Sequence, residues 1–78
     1  MLKEVSVKGD TAQIGSTVLI KLYSGLDGRG FGSDWRMGTI VSIGPDVIVD
    51  DTLIELDGGL RVYQGHIEFM SVLDGGQG

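Results

Sequence analysis

The sequence predicts an all-β domain, a small barrel of about five strands, and three observations support this. β-branched residues recur in short runs, turn residues separate the runs, and no window of a dozen residues carries apolar residues at helical spacing. Glycine is abundant, with 14 among 78 residues, whereas proline occurs once. Short strands with this glycine punctuation are typical of closed or half-closed barrels.

Four runs are the main predicted strands, and turn residues bound each of them. They are Thr17–Tyr23 (TVLIKLY), Met37–Ile43 (MGTIVSI), Asp46–Asp57 (DVIV with DTLIELD) and Leu60–Tyr63 (LRVY). Gly44-Pro45-Asp46 and Asp57-Gly58-Gly59 are predicted to be turns, because proline presets φ and glycine tolerates a positive φ. QGHIEF is expected to contain a 3₁₀ turn, followed by a last short strand at 70–73.

Alternation within the runs assigns one face of each strand to the barrel interior. The predicted interior residues are Val18, Ile20 and Leu22, then Met37, Thr39, Val41 and Ile43, then Ile54 and Leu56. The predicted outward apolar residues are Leu19, Tyr23, Ile40 and Leu53. Scattered singly, such residues are ordinary, but side by side on neighbouring strands they form a patch typical of a subunit interface.

Length and composition indicate a small single domain without disulfides. Residues 1–78 are expected to form one domain, with a barrel core at 15–73 and a flexible tail at 74–78. The chain has no cysteine and one histidine, which excludes disulfides and disfavours a structural zinc site. A domain this small has a thin stability margin, so oligomerisation is the stabilising device left open. No apolar run reaches membrane-spanning length and no signal peptide is evident, so we expect a soluble cytoplasmic protein.

The charge of the chain limits the kinds of partner that it is expected to bind. Eleven acidic residues against six basic ones give a net charge of −5, and the basic residues are scattered, which disfavours direct nucleic-acid binding. Five acidic residues lie within twelve positions: Asp46, Asp50, Asp51, Glu55 and Asp57. They form either a solvated face that keeps the protein soluble or an acidic patch that steers a basic partner.

The glycine-rich stretch SGLDGRGFGSDW, from Ser24 to Trp35, lacks the pattern of a known ligand loop. It has no third glycine followed by a helix, no Gly-Lys-Ser/Thr and no EF-hand spacing of carboxylates. We therefore interpret it as a long, flexible strand connection. Its aromatic residues and their arginine neighbours, Arg29, Phe31, Trp35 and Arg36, are candidate partner-binding residues, because tryptophan and arginine are enriched in interface hot spots. Alternatively, Trp35 closes the mouth of the barrel and Phe31 caps its core.

The sequence contains no recognisable catalytic motif. His66 has no nucleophile near it in sequence and no metal-ligand spacing, and neither G-x-S-x-G nor H-E-x-x-H occurs. The sequence therefore predicts no catalytic residue, no metal site and no cofactor.

A Gly-Ser-x-Val opening at Gly15–Val18, the segment WRMGTIV at Trp35–Val41 and LRVY at Leu60–Tyr63 together resemble an SH3-like barrel. The likeness covers roughly 15–69 and is shared with two families, the small accessory subunit of photosystem I and the plasmid-encoded type II dihydrofolate reductase. In that reductase a tetramer forms one pore for folate and nicotinamide cofactor, and LRVY matches its Val-Gln-Ile-Tyr pore segment. The resemblance thus implies a ligand site at a symmetry axis, lined by Arg61 and Tyr63. Arg61 replaces the glutamine, so four arginines would repel one another unless they bind an anion.

Three hypotheses of function follow. The first is a non-enzymatic, homo-oligomeric binding module that engages a protein partner through the glycine-rich loop and the outward apolar residues, as an accessory subunit or a phage or mobile-element factor would. The second is an oligomeric reductase-like enzyme, or a binder of a small anion or nucleotide, with its site at the symmetry axis. The third is an acidic inhibitor or decoy of a nucleic-acid-binding protein.

Overall fold

The computed structural model describes residues 2–23 and 35–74. Over these residues the elements are β1 Glu4–Val7, β2 Asp10–Gln13, β3 Thr17–Leu22, β4 Trp35–Asp46, β5 Asp51–Leu56, a 3₁₀ turn Asp57–Gly59, β6 Arg61–Tyr63, a second 3₁₀ turn Gln64–His66, and β7 Ile67–Asp74. The described residues contain no α-helix, so the predicted all-β class is confirmed. In particular, this part of the chain holds no helix with the length and apolar character that a bilayer crossing requires.

The main sheet has five antiparallel strands in the order β6-β5-β4-β3-β7. Strands β3 to β6 follow one another as a meander, and β7 returns beside β3 after the second 3₁₀ turn. This arrangement agrees with the predicted small barrel of about five strands. The glycine-rich stretch connects β3 to β4, the first two strands of this sheet, and its residues 24–34 lie outside the described part.

An N-terminal hairpin, which the sequence analysis did not anticipate, covers part of the core. Strands β1 and β2 pair as a separate two-stranded sheet, and they bury Val5, Val7 and Ala12. The backbone N–H of Leu2 donates to the carbonyl of Ile43 at 3.0 Å, which ties the start of the hairpin to β4.

A β-bulge in β4 makes the predicted inward face of this strand wrong. The pairing of β4 with β5 shifts register between Ile40 and Ser42, so one residue is extra on the β4 side. An extra residue reverses the alternation beyond it, so Ile40 and Ile43 are both completely buried. Met37 and Val41, which the alternation assigned to the interior, are instead 61% and 53% exposed.

The chain reverses later than predicted after β4. Gly44, Pro45 and Asp46 continue the strand and pair with β5, so the predicted turn at these residues is wrong. The reversal occurs at 47–50, where the sequence predicted a strand. The physical reason is the Asp46 carboxylate, whose Oδ1 accepts the N–H groups of Ile48 at 2.9 Å and Val49 at 3.2 Å. In a continued strand these two N–H groups would have to bond to a neighbouring strand, whereas in this turn the aspartate side chain accepts them.

The other predicted turns are confirmed. The chain turns tightly at Asp57–Gly59, where Gly58 and Gly59 have φ values of 81° and 85°. The second 3₁₀ turn lies within QGHIEF, although the last strand begins at Ile67 and not at 70.

The core contains residues of both the main sheet and the hairpin. It contains Val5, Val7, Ala12, Val18, Ile20, Ile40, Ile43, Ile54, Leu56, Val62, Ile67 and Met70. The predictions for Val18, Ile20, Ile54 and Leu56 are thereby confirmed, whereas Leu22 is only partly buried against this cluster. The outer face of the sheet is left to solvent, and this is where the candidate site lies.

Candidate functional site

Three neighbouring strands present large apolar side chains on their outer face. Lys21 of β3 pairs with Trp35 of β4 on one side and with Phe69 of β7 on the other, and Leu19 pairs with Met37. Because alternate residues of a strand share a face, these side chains project together from the sheet. We call the group Leu19, Trp35, Met37 and Phe69 the aromatic face.

The two rings of the aromatic face contact each other across β3. The centroids of Trp35 and Phe69 lie 6.2 Å apart with an interplanar angle of 76°, an edge-to-face arrangement that aromatic pairs favour. Nevertheless Trp35 is 43% exposed and Phe69 is 44% exposed. The rings therefore orient each other while a large part of their surface stays in water.

One ion pair reaches into the aromatic face, because Lys21 lies between Trp35 and Phe69 in the strand register. The Lys21 Nζ atom lies 2.6 Å from Glu68 Oε1, and this hydrogen bond from Lys21 lowers the pKa of the Glu68 carboxyl. At the start of β4 the Arg36 guanidinium donates to the carbonyl of Trp35 at 2.9 Å. Lys21 and Glu68 thus neutralise each other within an otherwise apolar surface.

The partner-binding prediction therefore has two described residues, Trp35 and Arg36, at the start of β4. Arg29 and Phe31 lie outside the described residues, and their role stays a prediction. Sequence reasoning missed Phe69 and Met37. Phe69 was hidden because the last strand was expected to begin at Met70, just after it, and Met37 was assigned to the interior.

The turn after β4, which we call the hairpin tip (residues 47–50), is a second exposed apolar feature. Val47 is 97% exposed and Ile48 is 90% exposed. The Oδ1 atom of Asp46 accepts the N–H of Ile48 in the tip, and its Oδ2 atom accepts a hydrogen bond from the Tyr63 hydroxyl at 2.7 Å. The Tyr63 bond is the main reason why the Asp46 pKa falls below its ordinary value and why the Tyr63 pKa rises above its own.

Asp51 fixes the other side of the tip. Its Oδ2 accepts the N–H of Gly65, in the second 3₁₀ turn, at 3.0 Å, and its Oδ1 accepts the N–H of Thr52 at 2.7 Å. A Cβ at Gly65 would lie 2.6 Å from Asp51 Oδ2, so only glycine allows this approach. The hairpin tip is thus held from both sides by carboxylates.

The five predicted acidic residues divide into two groups along β5. Asp46, Asp50 and Asp51 lie at the hairpin tip. Asp46 holds the tip by accepting the N–H of Ile48, and Asp51 holds it by accepting the N–H of Gly65. At the other end, the Asp57 carboxylate accepts the N–H of Thr39 at 3.0 Å, and Glu55 lies 3.6 Å from Arg61 Nε. A steering role for these residues stays a prediction.

The two residues of the predicted symmetry-axis site share the outer face of β6. Arg61 is exposed beside Glu55, and Tyr63 is half-buried with its hydroxyl on Asp46. His66 is exposed, and its ring lies 5.6 Å from that of Tyr63. Over residues 2–23 and 35–74 no cluster of three or more His, Asp or Glu side chains could hold a metal ion. Ligand binding at an oligomer axis stays a prediction.

The fold and the surface define a small all-β domain with an apolar outer sheet face and an apolar, acid-flanked hairpin tip. No family model, no curated protein and no solved structure matches the chain.

Proposed function

We propose that this protein is a non-enzymatic interaction module that binds a protein partner through the aromatic face. The observation that carries the proposal is the Trp35–Phe69 ring pair, whose members contact each other and remain more than two-fifths exposed. Met37, 61% exposed on the same face, extends the apolar surface along β4.

The composition of the aromatic face fits the centre of a protein interface. Aromatic residues and methionine are enriched in interface cores, and charged residues are depleted there. Lys21, which lies between the two rings, already has Glu68 as a partner, so covering this ion pair leaves no single buried charge. Because the two rings constrain each other, little side-chain freedom is lost when a partner covers them.

The proposal retains the wider sequence-based interpretation. Trp35 ends the glycine-rich stretch, so Arg29 and Phe31 remain proposed parts of the same binding surface. The order β7-β3-β4-β5-β6, with a 3₁₀ turn before the last strand, supports the resemblance to SH3-like barrels. An accessory role in the cytoplasm is part of the same proposal.

The experiment is capture of the partner from an extract of the native source, followed by measurement of its affinity with the purified partner. Trp35→Ser and Phe69→Ser are the test variants. Leu60→Ser is the matched control, because Leu60 is 38% exposed and lies in the turn before β6. Hot-spot residues cost about 2 kcal/mol or more, so each test variant should weaken binding about 30-fold or more.

Circular dichroism and amide NMR spectra confirm that each variant is folded. Wild-type affinity in both Trp35→Ser and Phe69→Ser would contradict the proposal. Equal loss in Leu60→Ser would also contradict it, because binding would then not depend on this face.

A further inference from the structure

The hairpin tip is a second exposed apolar surface, and the function proposed for the aromatic face does not use it. Its two outermost residues, Val47 and Ile48, are 97% and 90% exposed. Trp35 begins β4 and Asp46 ends it, so the aromatic face and the tip lie at opposite ends of this strand. An inference drawn from the tip is therefore independent of the proposed function.

Valine and isoleucine are unusual residues for the outermost positions of a turn. Turns usually carry glycine, proline, asparagine, aspartate or serine. Neither Val47 nor Ile48 belongs to the hydrophobic core, so the packing of this domain gives no reason for their apolar side chains. A surface that covers both side chains would remove most of their apolar area from water, which favours binding.

Intramolecular hydrogen bonds fix the backbone that presents these two side chains. The Asp46 carboxylate accepts the N–H of Ile48 and the hydroxyl of Tyr63. On the other side of the tip, the Asp51 carboxylate accepts the N–H of Gly65. Because the tip is ordered before a partner arrives, little conformational entropy is lost when the partner covers it.

The tip carries negative charge that this part of the chain does not compensate. Asp46, Asp50 and Asp51 flank the two apolar side chains, and within residues 2–23 and 35–74 no ion pair includes any of the three carboxylates. Arg61 stands opposite Glu55 in the strand register and lies 3.6 Å from its carboxylate. Glu55 itself is roughly 13 Å along β5 from Asp51. A surface that binds the tip therefore meets apolar side chains with carboxylates beside them.

We propose that the hairpin tip is a docking element for a protein partner that presents an apolar pocket bordered by lysine or arginine. The pocket takes the two apolar side chains, and its basic border faces the carboxylates. The same carboxylates disfavour a membrane surface, because anionic headgroups repel them. The tip covers less than the roughly 800 Å² per partner of a standard interface. The association is therefore weak, with a dissociation constant in the micromolar range or above, and added salt weakens it.

A library of random peptides displayed on phage tests the chemistry of the partner. Immobilised wild-type protein selects binders, and peptides that also bind the variant Val47→Ser/Ile48→Ser are removed. The enriched peptides should combine apolar residues with lysine or arginine. When one of them is added to ¹⁵N-labelled protein, the amide shift changes should centre on residues 47–51.

Single substitutions then separate the apolar and the charged contributions to the affinity for one enriched peptide. Ile48→Ser should weaken binding at least about 10-fold, because it removes most of one aliphatic side chain from the contact. Val41→Ser is the matched control, since Val41 is 53% exposed on β4 outside the tip, and it should leave the affinity unchanged. Asp50→Asn should weaken binding several-fold at low salt and reduce its salt dependence. Asp10→Asn makes the same change in net charge outside the tip and should do neither.

The other outcomes overturn the inference. Failure to enrich any peptide over the double variant leaves the tip without a binding role. Enriched peptides without basic residues contradict the stated partner, and shift changes centred on Trp35 and Phe69 place the peptide on the aromatic face. Wild-type binding to phosphatidylcholine vesicles that the double variant loses would assign the tip to a lipid surface instead. Circular dichroism verifies that each variant is folded. Because the tip variants keep Trp35 and Phe69, failure here leaves the proposed function standing.

Discussion

Because of the bulge in β4, we expect substitution of Ile40 to destabilise the fold more than substitution of Val41. Strict strand alternation predicts the opposite order. Alternation assigns Val41 to the interior and Ile40 to solvent, whereas the structure buries Ile40 completely and leaves Val41 53% exposed. We therefore compare Ile40→Ala with Val41→Ala as a matched pair of neighbouring substitutions. The backbone of Ile40 bonds to Gly15 and Ser16, and alanine retains those bonds.

The expected loss follows from the burial. Ile40→Ala removes three carbon atoms from a fully buried site, and each is worth about 0.8 kcal/mol of transfer free energy, or roughly 2.4 kcal/mol together. The cavity left behind adds to this, so we expect the free energy of unfolding to fall by about 3 kcal/mol. Val41→Ala alters a largely solvated side chain, so we expect a change within about 0.5 kcal/mol.

Urea denaturation measures both values. For a domain of this size the dependence on urea is about 1 kcal/mol per M, so the midpoint should fall by about 3 M in Ile40→Ala and by less than about 0.5 M in Val41→Ala. If Ile40→Ala does not fold, Ile40→Val should lower the free energy of unfolding by about 1 kcal/mol. Equal losses at the two positions, or a larger loss at Val41, would refute the bulge and the register drawn from it.

Three further predictions concern the turns. The Asp46 pKa is lowered from 3.8, chiefly by the Tyr63 hydrogen bond, so the stability that this carboxylate contributes is present above pH 3.8 and is lost as the pH falls further. Asp46→Asn should flatten that acid limb in urea midpoints measured against pH, and an unchanged limb contradicts the assignment. The Tyr63 pKa is raised from 10.0, so its contribution is lost as the pH rises above 10.0. Tyr63→Phe should remove the late phase of the phenolate absorbance titration, and a late phase that persists belongs to another residue. Gly58 has a φ of 81°, so Gly58→Ala should cost about 1 kcal/mol, whereas Gly44→Ala, with open space at its Cβ, should cost less.

Most strands could be predicted from local pattern, because β-branched runs between turn residues carry the information within a few positions. The runs at Thr17–Tyr23 and Leu60–Tyr63 match β3 and β6 to within a residue. The first hairpin escaped because β1 and β2 are only four residues each and mix charged with apolar positions. Its burial depends on tertiary contacts, such as the bond from Leu2 to Ile43, that local pattern does not reveal.

The candidate site was only partly predictable, because strand pairing and not local sequence brings its residues together. Trp35 attracted attention as an isolated tryptophan next to an arginine, and residue type alone suffices for that. Phe69 and Met37 become visible only through register, because pairing with Lys21 and Leu19 sets them beside Trp35. A bulge further along β4 also reverses the inside and outside of that strand. The alternation expected for β4 therefore hid Met37, whereas Phe69 was missed because the last strand was expected to begin at Met70.

The hairpin tip shows why an exposed apolar residue carries more weight when its backbone is fixed. A run of valine and isoleucine favours a strand, but Asp46 ends the strand by accepting the N–H groups of Ile48 and Val49. The Tyr63 hydroxyl holds this carboxylate from β6, so a residue distant in sequence maintains the turn. A loose loop with the same composition would lose much of its binding energy to ordering, whereas this tip is ordered before it meets a partner. The hydrogen bonds of Asp46 therefore distinguish Val47 and Ile48 from exposed apolar side chains on a loose loop.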